Sequence, residues 1–346
     1  MDVDVPLLLF RAQYLQCLDP DFLTWPPTAL LRQLDAQVFL YKRIFDPVKV
    51  PYRPSVSYEV KVLEMLIDRI QKAMPGAAAA ESEPLKNMQS RLATLRETSS
   101  SPSQDPLSWQ DAYLTYNCSP TLEAWQPITL HEPRSRIAGT AHTGHRTWEG
   151  ALNLATYLVA HPALVDGKRV LELGAGTGFL SILCRKFLGA GAATATDGED
   201  AVVEGMRENL RLNDVDDNAQ IGVAARRLWW GTELEGNWRG DDDDNVSKAP
   251  VVDTVIGADI IYQKEGTRAL VKALRAILDL QPQSTIILSN ARRFPAVFQV
   301  FEEDCQENNL CIRTISNPVT PISKQQSLFF STAIPLELIE IKHAVE

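Results

Sequence analysis

Cysteine is scarce and unpatterned in this sequence. Five residues, Cys17, Cys118, Cys184, Cys305 and Cys311, are scattered over 346 positions, and none forms a C-x-x-C pair. An odd, unspaced set argues against a disulfide framework and against a zinc site. A reducing compartment, the cytoplasm, and no bound metal are therefore expected. Long hydrophobic runs are missing as well. The longest, such as Leu7 to Phe10, are far shorter than the ~20 residues that span a bilayer, so no membrane partner is expected. The N-terminus carries Asp2 and Asp4 where a secretory signal has basic residues. A basic excess is also lacking: the formal charge is −10. That argues against a general nucleic-acid binder and suits a partner with a basic patch. What is present is an ordinary 45% of apolar residues, in a chain long enough for one large core and a smaller second domain.

Residues 1 to about 74 read as helices. Apolar residues recur at helical spacing over Pro6 to Leu18, Pro27 to Phe45 and Ser55 to Met74. The proline-punctuated stretch Asp46 to Pro54 links the last two. Residues 75–106 are biased toward small and polar residues and read as a linker or long loop, with a short helix, Glu83 to Glu97, inside it. Trp109 to Trp125 is aromatic-rich and irregular, and leads into a catalytic domain over 107–346.

That domain is organised around Val170-Leu-Glu-Leu-Gly-Ala-Gly-Thr-Gly178, followed by a helical pattern from Phe179. A short apolar run, glycines at alternate positions and a helix make strand, tight turn, helix, with backbone N–H groups of the turn free to meet a ligand. The spacing is G-x-G-x-G, not the G-x-G-x-x-G that presents a helix to a pyrophosphate. With Glu172 two residues before the first glycine, it suits a nucleoside with a charged amino-acid tail. A second strand, Gly191 to Thr196, ends in Asp197, about 20 residues on, where ribose hydroxyls are held in such sheets. Capping the next helix is the alternative role of Asp197.

Upstream, Ile128 to Leu130 reads as a strand and Ala151 to Ala160 as a helix, with Thr147 as N-cap, Glu149 in the first turn and Trp148 at the mouth. Downstream, strand and helix alternate through Ile221 to Ala225, Val251 to Asp259, Thr267 to Leu280, Thr285 to Leu288, Ala296 to Glu307 and Cys311 to Ile315. This is the pattern of a parallel sheet with helices on both faces. Ser327 to Ile334 and Leu336 to Ile341 are rich in strand formers suited to the final antiparallel strands. Of Trp229 and Trp230, an extended chain turns one to the ligand and one to the core. The run Asp241 to Asp244 reads as a solvated insertion.

Together, R-T-W-E at 146–149, E-L-G-A-G-T-G at 172–178, L-x-W-G at 228–231 and A-D-I-I-Y at 258–262 resemble the seven-β-strand protein-lysine methyltransferases. The nearest resemblance within that class, over about 130–341 and more loosely at the N-terminus, is to the elongation factor 2 lysine methyltransferases. The resemblance implies a seven-stranded Rossmann-like α/β sheet beside a smaller helical domain, with S-adenosylmethionine as cofactor. It implies a protein substrate, translation elongation factor 2, modified up to the trimethyl form by a monomeric enzyme. It implies that Trp148 flanks the cofactor and that Gly174, Ala175 and Gly176 hold its methionine end. Asp197 would hold the ribose, Trp230 would lie against the adenine region, and Ala258 would line the site. Asp259 and Tyr262 would face the target amine as catalytic residues. His145, where relatives carry an apolar residue, is assigned no role.

A free lysine has a pKa of about 10.4 and must lose a proton before its nitrogen can attack a methyl group. Asp259 would orient the amine, and the ring of Tyr262 would wall the channel through cation–π attraction. Asp259-Ile-Ile-Tyr262 lacks the two prolines of the D/N-P-P-Y motif that grips planar amides. The competing readings are a methyltransferase of another protein or of a small molecule, and a methyltransferase fold kept as an adaptor that has lost cofactor binding.

Overall fold

The computed structural model describes residues 4–74, 76, 82–100, 111–133, 143–231, 234, 235 and 251–344. The chain divides into two compact units, residues 1–138 and 139–346.

The first unit contains α1 (Val5–Leu15), α2 (Thr28–Leu31), α3 (Leu34–Leu40), α4 (Val56–Ala73), α5 (Glu83–Ser100) and a hairpin of β1 (Asp111–Asn117) and β2 (Pro127–Pro133). Val62, Leu63, Leu66, Ile67 and Ile70 share one face of α4, and all five are buried. Each fully buried side chain of this kind contributes roughly 1.5–3 kcal/mol. The single helix expected over 27–45 is broken. The Gln37 amide donates to the Leu31 carbonyl at 2.6 Å, which closes α2. The chain then runs through α3 into a π-helical turn, Tyr41–Phe45, that buries Ile44 and Phe45.

Two boundaries differ from the sequence expectation. The helix inside the expected linker forms as α5, and it is bolted to α4: Arg91 forks onto Glu59 at 2.9 and 3.0 Å, with Glu59 1% exposed. The hairpin, expected within the catalytic domain, falls in the first unit, where the Tyr113 N–H donates to the Arg53 carbonyl at 3.0 Å. Asp111–Asn117, read above as irregular, is a strand because Ala112, Leu114 and Tyr116 alternate onto a buried face. The rest of the expected linker (75, 77–81, 101–106), Trp109 and Asp241–Asp244 lie outside the described residues.

The second unit runs α6 (Glu149–Ala160), β3 (Arg169–Leu173), α7 (Phe179–Lys186), β4 (Ala192–Asp197), α8 (Asp200–Leu212), β5 (Val223–Arg227), β6 (Trp229–Trp230), β7 (Leu234–Glu235), β8 (Thr254–Ala258), α9 (Lys264–Leu280), β9 (Thr285–Ala291), α10 (Pro295–Glu307), β10 (Leu310–Ile315) and β11 (Leu336–His343). Seven strands form one sheet in the order β10-β11-β9-β8-β3-β4-β5. β3, β4, β5, β8 and β9 pair in parallel, and β11 lies antiparallel between β9 and β10. This is the expected seven-stranded α/β sheet. The parallel strands are buried on both faces, so Val170-Leu171 and Ile286-Ile287-Leu288 read as unbroken apolar runs. Leu270, Leu274 and Ile277 of α9 and Phe298 and Phe301 of α10 close the core against them. Ser327 to Ile334 does not add a strand. Its Phe330 N–H and carbonyl bond the Gln325 side chain at 2.8 and 3.1 Å, so those backbone groups are satisfied without a ladder.

The strand order reverses between β3 and β8: β4 and β5 lie to one side, β9 and β11 to the other. In open α/β sheets the crevice outside the carboxyl ends of the strands at such a switch point takes the ligand. Here those ends carry the glycine turn and Asp259.

Candidate active site

The glycine turn follows β3 with positive φ at Gly174 (60°), Gly176 (53°) and Gly178 (81°). A Cβ at Gly174 would stand 2.6 Å from Cγ2 of Ile260, and one at Gly176 would stand 2.8 Å from the Gly144 carbonyl oxygen. Both conformation and close approach therefore demand glycine at these two positions. The turn's N–H groups are less free than its sequence suggests. Ala175 donates to the Thr196 carbonyl at 2.8 Å, and Gly176 donates to Oδ2 of Asp197 at 3.2 Å. These bonds hold the turn against β4. Asp197 also accepts the Glu199 N–H at 3.3 Å. Burial raises its carboxyl above the ordinary range, and the N–H donors of Glu199, Gly176 and Gly198 pull it back.

Glu172 faces elsewhere than expected. It is 3% exposed and accepts the Ser181 N–H at 2.9 Å and the Ser181 hydroxyl at 2.5 Å. Burial pushes its carboxyl up to about 8. It fastens the first turn of α7 under the loop and is not turned toward a ligand's charged tail.

The other wall is built on Asp259. Thr147 does not cap α6; its hydroxyl bonds that of Thr177 at 2.8 Å and ties the approach to α6 onto the glycine turn. The N–H of Gly150 in the first turn of α6 goes instead to Oδ2 of Asp259 at 2.7 Å, a cap supplied from 109 positions away. Oδ1 of Asp259 accepts the Ala291 N–H at 2.8 Å and Nη1 of Arg293 at 3.1 Å. The carboxylate is 4% exposed, and the backbone sits in the left-handed region at φ 52°. A carboxylate offers about four acceptor sites; among the described residues three are filled and one remains, on Oδ2.

Arg293 also bonds Glu149 and lies with its guanidinium carbon 5.0 Å from the ring centroid of Trp148. Arg146 lies 4.9 Å from the same ring, and the Trp148 indole N–H donates to the Thr143 carbonyl at 3.0 Å. Ala258 ends β8, paired with Ser289 of β9. Tyr262 is 42% exposed beyond that end. Trp230 packs against the turn, its Cη2 3.4 Å from where a Gly174 Cβ would stand, and its buried indole N–H has no partner among the described residues. Trp229 is 47% exposed and lies against Gly198, next to Asp197.

Two groups of expected residues thus meet: Gly174 with Trp230 at the turn, and Trp148 with Asp259 through Arg293. Ile260 joins the groups by packing on Gly174. Arg293 was missed in the sequence because an arginine after a strand carries no motif. Ile260 stood in plain sight as the unassigned position beside Asp259. A turn closed to a Cβ at Gly174 and Gly176, a buried indole N–H without a partner among the described residues and a carboxylate at the end of β4 fit a nucleoside-bearing cofactor. Among the described residues, no group of three His, Cys, Asp or Glu is placed to hold a metal, and no helix is long and apolar enough to cross a membrane.

Comparison with known proteins agrees. A family model described as lysine methyltransferase matches residues 135–306. The chain is 32% identical over 337 residues to the protein-lysine N-methyltransferase EFM3 of Chaetomium thermophilum, covering 96% of each protein. It is 30% identical over 269 residues to the protein-lysine N-methyltransferase EEF2KMT of Homo sapiens, covering 76% of this chain and 74% of that protein. Over 197 residues it is 30% identical to EFM3 of Saccharomyces cerevisiae, covering 53% of this chain and 54% of that one. Similarity of that extent means that this chain belongs to the lysine methyltransferase family, enzymes that move a methyl group from S-adenosylmethionine to a protein lysine.

Proposed function

We propose that the protein substrate is translation elongation factor 2, and that one of its lysines is methylated stepwise to the trimethyl form in the cytoplasm. The observation that carries this reading is the reach of the similarity. It runs over 337 residues and so takes in the first unit as well as the catalytic one, where a substrate would be selected. Relatives named EEF2KMT, an abbreviation that reads as elongation factor 2, support the same choice.

In this reading the glycine turn at Gly174, Ala175 and Gly176 receives the methionine end of the cofactor, and Asp197 receives the ribose. Trp148, Trp230 and Ala258 line the pocket. When bound, S-adenosylmethionine supplies a methyl group already activated on a sulfonium. The chain's own task is to present a neutral amine in line with it, and orientation of that kind is worth several kcal/mol. The remaining acceptor site of Asp259 takes an N–H of the amine and turns its lone pair inward. The exposed ring of Tyr262 walls the lysine stem and attracts the ammonium and methylammonium forms.

The test is incubation with S-adenosylmethionine and unmodified elongation factor 2, followed by intact-protein and peptide mass spectrometry. A gain of up to three methyl groups on one lysine is expected. An unchanged mass, with cofactor still bound, would discard this substrate, and a gain that stops at one methyl would discard the trimethyl product.

A further inference from the structure

Arg293 lies outside every sequence motif, yet it ties Trp148 and Glu149 at the start of α6 to Asp259 beyond β8. It lies just beyond β9, at the same sheet edge as Asp259, with a side chain 24% exposed. Three groups hold it: Oδ1 of Asp259 at 3.1 Å, the carboxylate of Glu149, and the ring of Trp148, with its guanidinium carbon 5.0 Å from the centroid. Among the described residues, the charged groups bonded to it are Asp259 beyond β8 and Glu149 on α6, and Arg146, before α6, lies 4.9 Å from the centroid of the same Trp148 ring. Its neighbour Arg292 turns away, to Glu302 and Glu337.

A carboxylate that receives a lysine creates a conflict. Two acids at the acceptor mouth attract the ammonium, yet they also stabilise it against losing the proton that methyl transfer requires. A fixed guanidinium in the same cluster offsets one of those charges. Arginine suits this task because it stays charged at any working pH.

We propose that Arg293 is a positioning residue that disfavours the ammonium form of the bound lysine and so sets the lower pH limit of methyl transfer. The proposal rests on the reading above that Asp259 faces the target amine. Removing one charge within ~10 Å, at the effective dielectric of a protein surface, moves a titration by about one pH unit.

The experiment is kcat against pH for the full-length wild type, Arg293→Gln, Arg293→Lys and Glu149→Gln, with cofactor affinity measured alongside by calorimetry. The acidic limb of kcat reports the enzyme–substrate complex. In Arg293→Gln the limb moves up by about one unit, the rate at pH 7 falls about tenfold, and most of the rate returns above pH ~9.5. Arg293→Lys keeps the charge but not the fork, so the rate drops and the limb stays. Glu149→Gln removes a negative charge and moves the limb down, a direction that structural damage does not produce. This last variant decides the matter if Arg293→Gln fails to fold. A rate lost by the same factor at every pH, or limbs that stay put in both glutamine variants, overturns the proposal alone. A wild type inert toward elongation factor 2 at every pH overturns the substrate reading, and the proposal with it.

Discussion

Asp259→Ala is expected to damage the fold of the second unit before it damages any chemistry. The carboxylate is 4% exposed and accepts three hydrogen bonds, from Gly150 at 2.7 Å, Ala291 at 2.8 Å and Arg293 at 3.1 Å. Truncation leaves the two backbone N–H groups without an acceptor in a buried place, at about 1–3 kcal/mol each. Arg293 keeps Glu149 and loses less. Position 259 sits at φ 52°, where alanine is worse off than aspartate by roughly 1 kcal/mol. The expected cost is about 3–7 kcal/mol, or a fall of roughly 6–28 °C in Tm for a unit of 150–250 residues. Releasing Gly150 also frees the start of α6, so Trp148 loses its place and cofactor affinity falls too. Asp259→Asn keeps the shape but exchanges one acceptor for a donor that faces a donor, so it falls between. The assay is a thermal melt with cofactor binding by calorimetry. An Asp259→Ala protein that melts within about 2 °C of wild type and binds cofactor equally well would refute the reasoning, and would leave Asp259 as an amine contact only.

Three further outcomes follow from the same geometry. Gly174→Ala places a Cβ 2.6 Å from Ile260 at a φ of 60°, so cofactor affinity should fall at least about tenfold in calorimetry while the sheet still folds. Glu172 is raised to about 8 by burial. The folded state therefore holds a proton that the unfolded chain releases near pH 4.5, and stability falls as pH rises from about 4.5 to 8. The upper limit of this loss is on the order of 5 kcal/mol, and Glu172→Gln should flatten the curve of melting temperature against pH; an unchanged slope would count against it. In the first unit, Glu59→Ala strips a buried acid from the Arg91 fork at 2.9 and 3.0 Å and should cost about 3–5 kcal/mol in denaturant unfolding.

The sequence by itself determined the class of this protein. Alternating strand and helix from Val170 onward dictated a doubly covered parallel sheet, because β3, β8 and β9 are apolar on both faces and only helices can cover them. Three glycines at alternate positions dictated the turn, because only glycine enters that backbone conformation with Ile260 and Gly144 so close. Local chemistry of this kind is written in adjacent residues. The tertiary structure alone decided which groups serve those parts. Glu172, next to the glycines in the chain, faces Ser181 in space. Thr147, well suited to cap α6, bonds Thr177, and Asp259 caps the helix across 109 positions. Residues 83–100 looked like part of a linker until Arg91 met Glu59. Arg293, with no motif around it, came to tie the start of α6 to Asp259 because β9 ends beside β8. Apart from Glu172 and Ser181, nine positions apart, these pairings join residues 30 or more positions distant, and which donor wins a given acceptor depends on the packing that brings them together.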